Sequence, residues 1–256
     1  MIKKISVDLI RHAQTPGNVL RRYIGRTDEA LSLEGRKQAY AVGKRYFAYD
    51  RSASGRPDGK SEIWILSPMR RCIETAALIL AGRYEAGTEW IFEEQDAGGL
   101  LRVMEERYPS VAVQTCREMR ECDFGAFENR NYQEMEEDPL YQRWVEEGGV
   151  NAFPGGEHPD TFRDRSCRAF EDVLRERFED GKRTGEGEAG AEPVLVLVVH
   201  GGTIMSILER FGLDERGSSG AFYEWYTPNA CGYHTDVLWE NDRIRSVQVL
   251  HKIGLK

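Results

Sequence analysis

The sequence predicts an α/β fold in which a mostly parallel central sheet carries helices on both faces. Short β-rich runs alternate with longer helical patterns, which is the order typical of such sheets. The clearest predicted strands are residues 4–10, 62–66 and 194–199. The last of these, VLVLVV, contains no polar residue, as expected of a central strand that is covered on both faces.

Helical patterns fill the intervals between these strands. Ser32 is the predicted N-cap of a helix that runs to about residue 46. Residues 73–80, 161–178 and 203–211 are also predicted helices. Near the end of the chain, residues 235–239 and 244–250 predict a closing β-hairpin with Asn241-Asp242 at its turn.

A single domain over residues 1–256 is expected for a chain of 256 residues. Within it, the less regular stretch at roughly 85–160 predicts a helical cap or insertion. Residues 51–60 and 181–192 are rich in glycine and charge, so they predict surface excursions.

The composition excludes several classes of partner. A formal net charge of −8 argues against nucleic acid, which requires a basic face. No apolar run reaches membrane-spanning length, so no membrane partner is expected. The five cysteines form no CxxC pair, which favours reduced thiols in the cytoplasm over a disulfide framework or a zinc site.

Two histidines stand directly after the best predicted strands. Strand 4–10 runs into Arg11-His12, and strand 194–199 runs into His200. Ligands of open α/β sheets bind outside the carboxyl ends of the strands, so both rings would face one crevice if the strands are neighbours. Gly201 and Gly202 follow and then the predicted helix, an arrangement whose backbone N–H groups would point at an anion.

Arginines accompany these histidines at the same predicted edge. Arg11 precedes His12, and Arg70 and Arg71 follow strand 62–66. A lone histidine at a strand end is commonly a satisfied core residue. Two histidines together with arginines are better explained by a phosphate site, because planar guanidinium donors suit phosphoryl oxygens.

Four segments in order resemble the histidine phosphatase superfamily, which includes the cofactor-dependent phosphoglycerate mutases. RHAQTPGN at 11–18 is similar to its RHGxTxxN signature, and SPMRRCIETA at 67–76 to its SPLxRAxQTA block. MRECDFG at 119–125 resembles its LxExxFG block, and VHGG at 199–202 its second histidine block.

The resemblance implies a phosphoryl transfer that needs no metal and no cofactor. His12 would attack phosphorus, and Glu121 would protonate the leaving alkoxide and then activate water. The phosphoryl oxygens would be held by Arg11, Arg71 and His200. Further substrate or phosphate contacts are expected from Asn18, Thr15, Gly25 and Gly201.

Some assignments keep an alternative. Thr15 either donates to phosphate or caps the loop, and Arg70 could take the crevice position that the block's spacing gives to Arg71. Without the resemblance, Glu121 would be interpreted as a solvated carboxylate. The sequence departs from the family at Ala13, where glycine is usual, and at Asn129, where many relatives have glycine.

Two further segments suggest a substrate, a small-molecule phosphomonoester. RYIGRTDEALS at 22–32 resembles a stretch common in α-ribazole phosphatases, and residues 139–144 with FPGGE at 153–157 resemble their cap. The resemblance implies hydrolysis of α-ribazole 5′-phosphate in assembly of the cobalamin nucleotide loop. The alternatives are a broad-specificity or sugar-phosphate phosphatase, a phosphoglycerate mutase and a non-catalytic binding module. A homodimer is left open.

Overall fold

The computed structural model describes residues 2–47, 62–93, 96–184 and 194–254. The excursion predicted at 51–60 lies outside the described residues, as does most of the one at 181–192. Seven strands form one sheet in the described part of the chain. They are β1 (Lys3–Arg11), β2 (Glu62–Leu66), β3 (Val111–Thr115), β4 (Val194–Val199), β5 (Gly212–Leu213), β6 (Gly232–Glu240) and β7 (Arg243–Ile253).

The helices agree with the predicted pattern. They are α1 (Pro16–Val19), α2 (Leu33–Val42), α3 (Arg70–Arg83), α4 (Glu89–Glu93), α5 (Ala97–Arg107), α6 (Pro139–Glu146), α7 (Pro159–Thr184) and α8 (Gly201–Phe211). Ser32 caps α2, because its hydroxyl accepts from the Gly35 amide. The remainder of that predicted helix continues as a π-helical turn over Gly43–Phe47.

The strand order is β3-β2-β4-β1-β6-β7-β5. Strands β3, β2, β4 and β1 run parallel to one another, and β6 joins β1 in the antiparallel direction. All six residues of β4 are buried, which agrees with its unbroken apolar sequence. Because β1 and β4 are adjacent and parallel, Arg11 lies opposite Val199 and the residues that follow both strands meet at one edge.

Hydrophobic residues cover both faces of the sheet. Val196 and Val198 of β4 face a core that includes Ile79 of α3, while Leu195 and Leu197 face a second core with Phe170 of α7. This alternation follows from the two-residue period of a strand. Burial of each such side chain contributes roughly 1.5–3 kcal/mol. The predicted fold class, a mostly parallel sheet with helices on both faces, is confirmed.

The predicted closing hairpin is present as β6 and β7. Asn241 and Asp242 join the strands with φ angles of 53° and 59°. Two consecutive left-handed residues define a type I′ turn, which suits the twist of a hairpin and which Asn and Asp tolerate.

The predicted cap or insertion at roughly 85–160 is narrower in the structure. Helix α5 and strand β3 fall in this range, yet β3 pairs with β2 at the sheet edge and Leu100 and Met104 of α5 join the main core. The cap, as the term is used below, therefore comprises residues 117–158. Its own small cluster includes Phe127, Met135 and Phe153.

None of the helices in the described part of the chain is long and apolar enough to cross a membrane.

Candidate active site

His12 follows β1 and is held by its backbone on both sides. Its amide donates to the Val199 carbonyl, 2.9 Å away, and its carbonyl accepts from the Ala230 amide and from Nδ2 of Asn229. The side chain is only 4% exposed. Nδ1 lies 2.8 Å from the Ala13 carbonyl oxygen, which can only accept, so Nδ1 carries the proton. Nε2 is therefore the nitrogen with the free lone pair.

His200 follows β4 and lies beside His12, with 5.3 Å between the ring centroids. The crevice that the sequence predicted thus brings both rings together. Nε2 of His200 is 2.7 Å from the Ser67 hydroxyl at the end of β2. A hydroxyl that donates to Nε2 leaves the proton on Nδ1, and this nitrogen lies 3.9 Å from Oε2 of Glu121.

Arg71 is fully buried in the first turn of α3. Nη1 donates to the Thr27 carbonyl and Nη2 to the Gly25 carbonyl, both at 2.9 Å. Arg11 is anchored similarly, since its Nη1 donates to the Thr227 carbonyl at 2.9 Å. Both guanidinium groups are held in place by carbonyl oxygens, which carry no formal charge, so their positive charge is not neutralised by these contacts.

Three buried donor atoms around the histidines have no hydrogen-bond partner among the described residues. They are Nε of Arg11, Nε of Arg71 and Nδ1 of His200. A buried donor without a partner costs roughly 1–3 kcal/mol, and such groups are rare in native structures. Two guanidinium donors and one imidazole N–H in this arrangement match the oxygens of a phosphoryl group.

Helix α8 adds backbone donors to the same place. His200 is its N-cap and Gly201 its first residue, and the first amides of a helix have no partner within the helix. A Cβ on Gly202 would lie 3.1 Å from Oε1 of Glu121 and 2.9 Å from the Phe162 ring. Glycine at position 202 allows the first turn of α8 to approach the carboxyl group of Glu121.

Glu121 is a residue of the cap, and its Oε2 lies 3.9 Å from Nδ1 of His200. Burial raises the pKa of this carboxyl above its ordinary value, while the Cys122 amide and the Arg71 and Arg11 charges oppose the rise. Burial lowers the pKa of His12 well below its ordinary value, and so do the charges of Arg71 and Arg11. These shifts favour a neutral imidazole next to a carboxyl group that retains its proton to higher pH.

A cavity of about 310 Å³ opens beside Glu121. It is lined by Gly25, Arg26, Met69, Arg120, Glu121, Asp123, Gly155, Gly156 and Glu157. The last three belong to the FPGGE segment, which is held in place by hydrogen bonds from Arg165. Arg165 donates to both carboxylate oxygens of Glu157, at 3.0 and 2.8 Å, and to the Arg120 carbonyl.

Thr15 and Asn18 form the capping box of α1. The Thr15 hydroxyl accepts from the Asn18 amide, and Oδ1 of Asn18 accepts from the Thr15 amide. Oδ1 also accepts from Nδ2 of Asn229, 3.0 Å away. The same Nδ2 donates to the His12 carbonyl. Of the two roles left open for Thr15, the structure shows the cap. Asn18 is linked through Asn229 to the backbone of His12.

Gly25 lines the cavity, but its N–H is already used. The amide donates to Oε1 of Glu128 at 2.8 Å, and a Cβ here would lie 1.9 Å from the Cys122 carbonyl oxygen. The phosphate contact predicted for Gly25 therefore cannot come from its amide. Its contribution is close packing of two loops and a carbonyl for Arg71.

Arg70 is bonded to two carboxylates, those of Glu74 and Asp28. Its Nε donates to Oε1 of the buried Glu74 at 2.6 Å, and its amide donates to Oδ1 of Asp28. The alternative in which Arg70 takes the crevice position is therefore wrong, since Arg71 is the residue whose charge acts on His12.

The two departures from the family pattern are accommodated locally. Ala13 is fully buried and its methyl group joins the main core rather than the pocket, while its amide donates to the Thr75 hydroxyl. Asn129 has a φ of 59°, a left-handed conformation that asparagine tolerates better than most residues.

Sequence reasoning missed two residues of the site. Ser67 belongs to the SPMRRCIETA segment but received no role, although its place directly after β2 puts it at the same edge as the histidines. Asn229 gave no motif signal, because its partners Asn18 and His12 are more than 200 positions earlier.

Comparison with known proteins identifies the family. The profile of the histidine phosphatase superfamily (branch 1) matches residues 7–106 and 101–234. The chain belongs to this superfamily, as the four segments predicted.

Several known proteins are similar to this chain in sequence or in fold. A bifunctional protein of Mycobacterium tuberculosis is 30% identical over 217 residues, which cover 84% of this chain and 45% of the relative. The chain thus spans about half the length of that protein. The α-ribazole phosphatase of Shigella flexneri has a TM-score of 0.59 at 18% identity, with 98% of each chain covered. A phosphoglycerate mutase of Thermus thermophilus has a TM-score of 0.51 at 21% identity, covering 98% of this chain and all of the other. At these identities, the two structures show a shared fold.

Proposed function

We propose that the chain hydrolyses phosphomonoesters through a phosphohistidine at His12. The observation that carries this proposal is the trio of buried donors, on Arg11, Arg71 and His200, that have no partner among the described residues and surround a neutral imidazole. An anion with several oxygens satisfies them and also compensates the positive charge of the two guanidinium groups.

The geometry supports a two-step reaction. Nε2 of His12 attacks phosphorus, the bond from phosphorus to the alkoxide oxygen breaks, and Glu121 gives its proton to that oxygen. Water then attacks the phosphohistidine, Glu121 takes a proton from the water, and the bond from phosphorus to nitrogen breaks. Arg11, Arg71 and His200 stabilise the negative oxygens in both steps.

The proposal includes independence from metal ions, because the guanidinium groups supply the positive charge that a metal would otherwise supply. We expect phosphate release from p-nitrophenyl phosphate to persist in EDTA. Complete loss in EDTA that is restored by a divalent ion would contradict the mechanism, and so would the absence of turnover on every phosphomonoester in a broad panel.

For the substrate, we propose α-ribazole 5′-phosphate. Support comes from the resemblance of residues 22–32 and of FPGGE to α-ribazole phosphatases, and the fold shared with the Shigella flexneri enzyme is compatible with it. The test measures phosphate release from α-ribazole 5′-phosphate, ribose 5-phosphate and 3-phosphoglycerate. Failure on the first together with rapid hydrolysis of another ester would reject this substrate.

A mutase would use the same residues but return the phosphoryl group to the substrate. Formation of 2-phosphoglycerate that depends on a bisphosphate primer would establish that alternative.

We also propose a cytoplasmic location, which the free state of all five cysteines supports.

A further inference from the structure

Tyr226 stands in contact with a phosphate-site arginine and is 58% exposed. The guanidinium carbon of Arg11 lies 5.7 Å from the centroid of its ring. The next residue, Thr227, accepts from Nη1 of Arg11 through its carbonyl. The same short segment therefore positions the arginine and presents an aromatic ring beside it.

The exposed ring belongs to a well-anchored segment. The adjacent Trp225 is 6% exposed and donates from Nε1 to the Gly220 carbonyl at 3.1 Å. The hydroxyl of Tyr233 donates to the Tyr226 carbonyl at 3.3 Å, and Glu224 accepts from the Ala221 amide. The backbone that carries the ring is thus fixed from both sides, which keeps Tyr226 next to Arg11.

The Tyr226 hydroxyl makes no hydrogen bond within the described residues. The group that Tyr226 offers to a ligand is therefore its aromatic ring. An exposed aromatic ring can stack on the flat face of a ligand. The distance from Arg11 matters here. The guanidinium carbon of Arg11 is 5.7 Å from the ring centroid, and Nε of the same group is a buried donor with no partner in the described part of the chain, so a ligand whose phosphate binds Arg11 has the Tyr226 ring near its alcohol part.

We propose that Tyr226 is a specificity-determining residue that binds phosphomonoesters whose alcohol part carries a flat ring on a sugar. The ring of the substrate stacks on Tyr226 while its phosphate is held by Arg11 and its neighbours. This inference rests on the proposed phosphatase function and names the substrate class that Tyr226 favours.

Adenosine 5′-monophosphate and ribose 5-phosphate test this directly, because adenine in the first takes the place of the anomeric hydroxyl in the second. The wild-type protein should have a higher kcat/KM for the nucleotide. Tyr226→Ala should reduce the ratio of the two kcat/KM values about tenfold, mainly through KM, since base–aromatic stacking has that strength. Tyr226→Phe should retain the ratio. Tyr132→Ala, which removes another half-exposed tyrosine in the cap, is the matched control and should also retain it.

Binding measured by calorimetry in a His12→Ala background separates this inference from the proposed function. Tighter binding of the nucleotide that is lost with Tyr226→Ala supports the stacking role even if turnover is absent. Equal binding of the two compounds, or a preference that survives Tyr226→Ala, would overturn it. Absence of phosphate release from every phosphomonoester of the broad panel, together with this binding preference, would count against the proposed function instead.

Discussion

The floor and the rim of the site are built in different ways. The floor consists of His12, His200, Arg11 and Arg71, which stand at strand ends or in the first turn of a helix. The rim includes Arg26 and Arg120, whose side chains are 62% and 40% exposed, whereas Arg71 is fully buried. A buried charge acts through a low dielectric, while an exposed one is screened by water and salt. We therefore expect changes in the floor to affect chemistry and changes in the rim to affect the choice of substrate.

His12→Ala should have the largest effect. It removes the nucleophile and leaves only binding and electrostatics, so kcat should fall by several orders of magnitude. Steady-state phosphate release measures this. His158→Ala removes a histidine that is 40% exposed in a loop, and it should retain near-normal turnover. Near-normal turnover in His12→Ala would show that another group attacks phosphorus.

Glu121→Gln should have the next largest effect, and its size should depend on the leaving group. Loss of a general acid costs about 10²–10⁴-fold, and an alkyl phosphate needs the proton more than p-nitrophenyl phosphate does. Glu118→Gln, which alters a carboxylate that is 54% exposed, serves as the control. Equal losses on both substrates would remove Glu121 from the acid role.

The pH dependence of kcat/KM follows from the same two groups. The His12 pKa is lowered, so the acid limb should lie below the ordinary histidine value of 6.5. The Glu121 pKa is raised above 4.5, so activity with alkyl phosphates should decline as the pH rises through that raised value. Glu121→Gln should abolish the alkaline limb and retain the acid limb. A profile unchanged by this substitution would contradict the assignment.

Ser67→Ala should have a smaller effect, because Ser67 acts through His200. Loss of its hydrogen bond frees the imidazole to change tautomer or rotate, and we expect kcat to fall about tenfold, the value of one net hydrogen bond. Ser67→Thr retains the hydroxyl and should restore most of the activity. If Ser67→Ala and Ser67→Thr lose the same activity, packing rather than the hydrogen bond is responsible.

The comparison of floor and rim also explains what could be predicted from the sequence. The runs at β1, β2 and β4 are strongly apolar, and parallel strands meet at one edge, so the positions of His12 and His200 followed from local patterns. Strand β3 was not predicted, because it is only five residues long and lies inside the less regular stretch at roughly 85–160 that was expected to form a cap or insertion. Tyr226 and Asn229 gave no signal, since their roles depend on contacts with Arg11 and Asn18 more than 200 positions away.

The most direct test of the central claim is to trap the covalent intermediate. Glu121→Gln should slow the attack of water more than formation of the phosphoenzyme on p-nitrophenyl phosphate, so the intermediate should accumulate. After an alkaline quench, mass spectrometry should locate an acid-labile phosphoryl group on the peptide that contains His12. A phosphoryl group on a different residue, or turnover with no covalent intermediate under these conditions, would contradict the account.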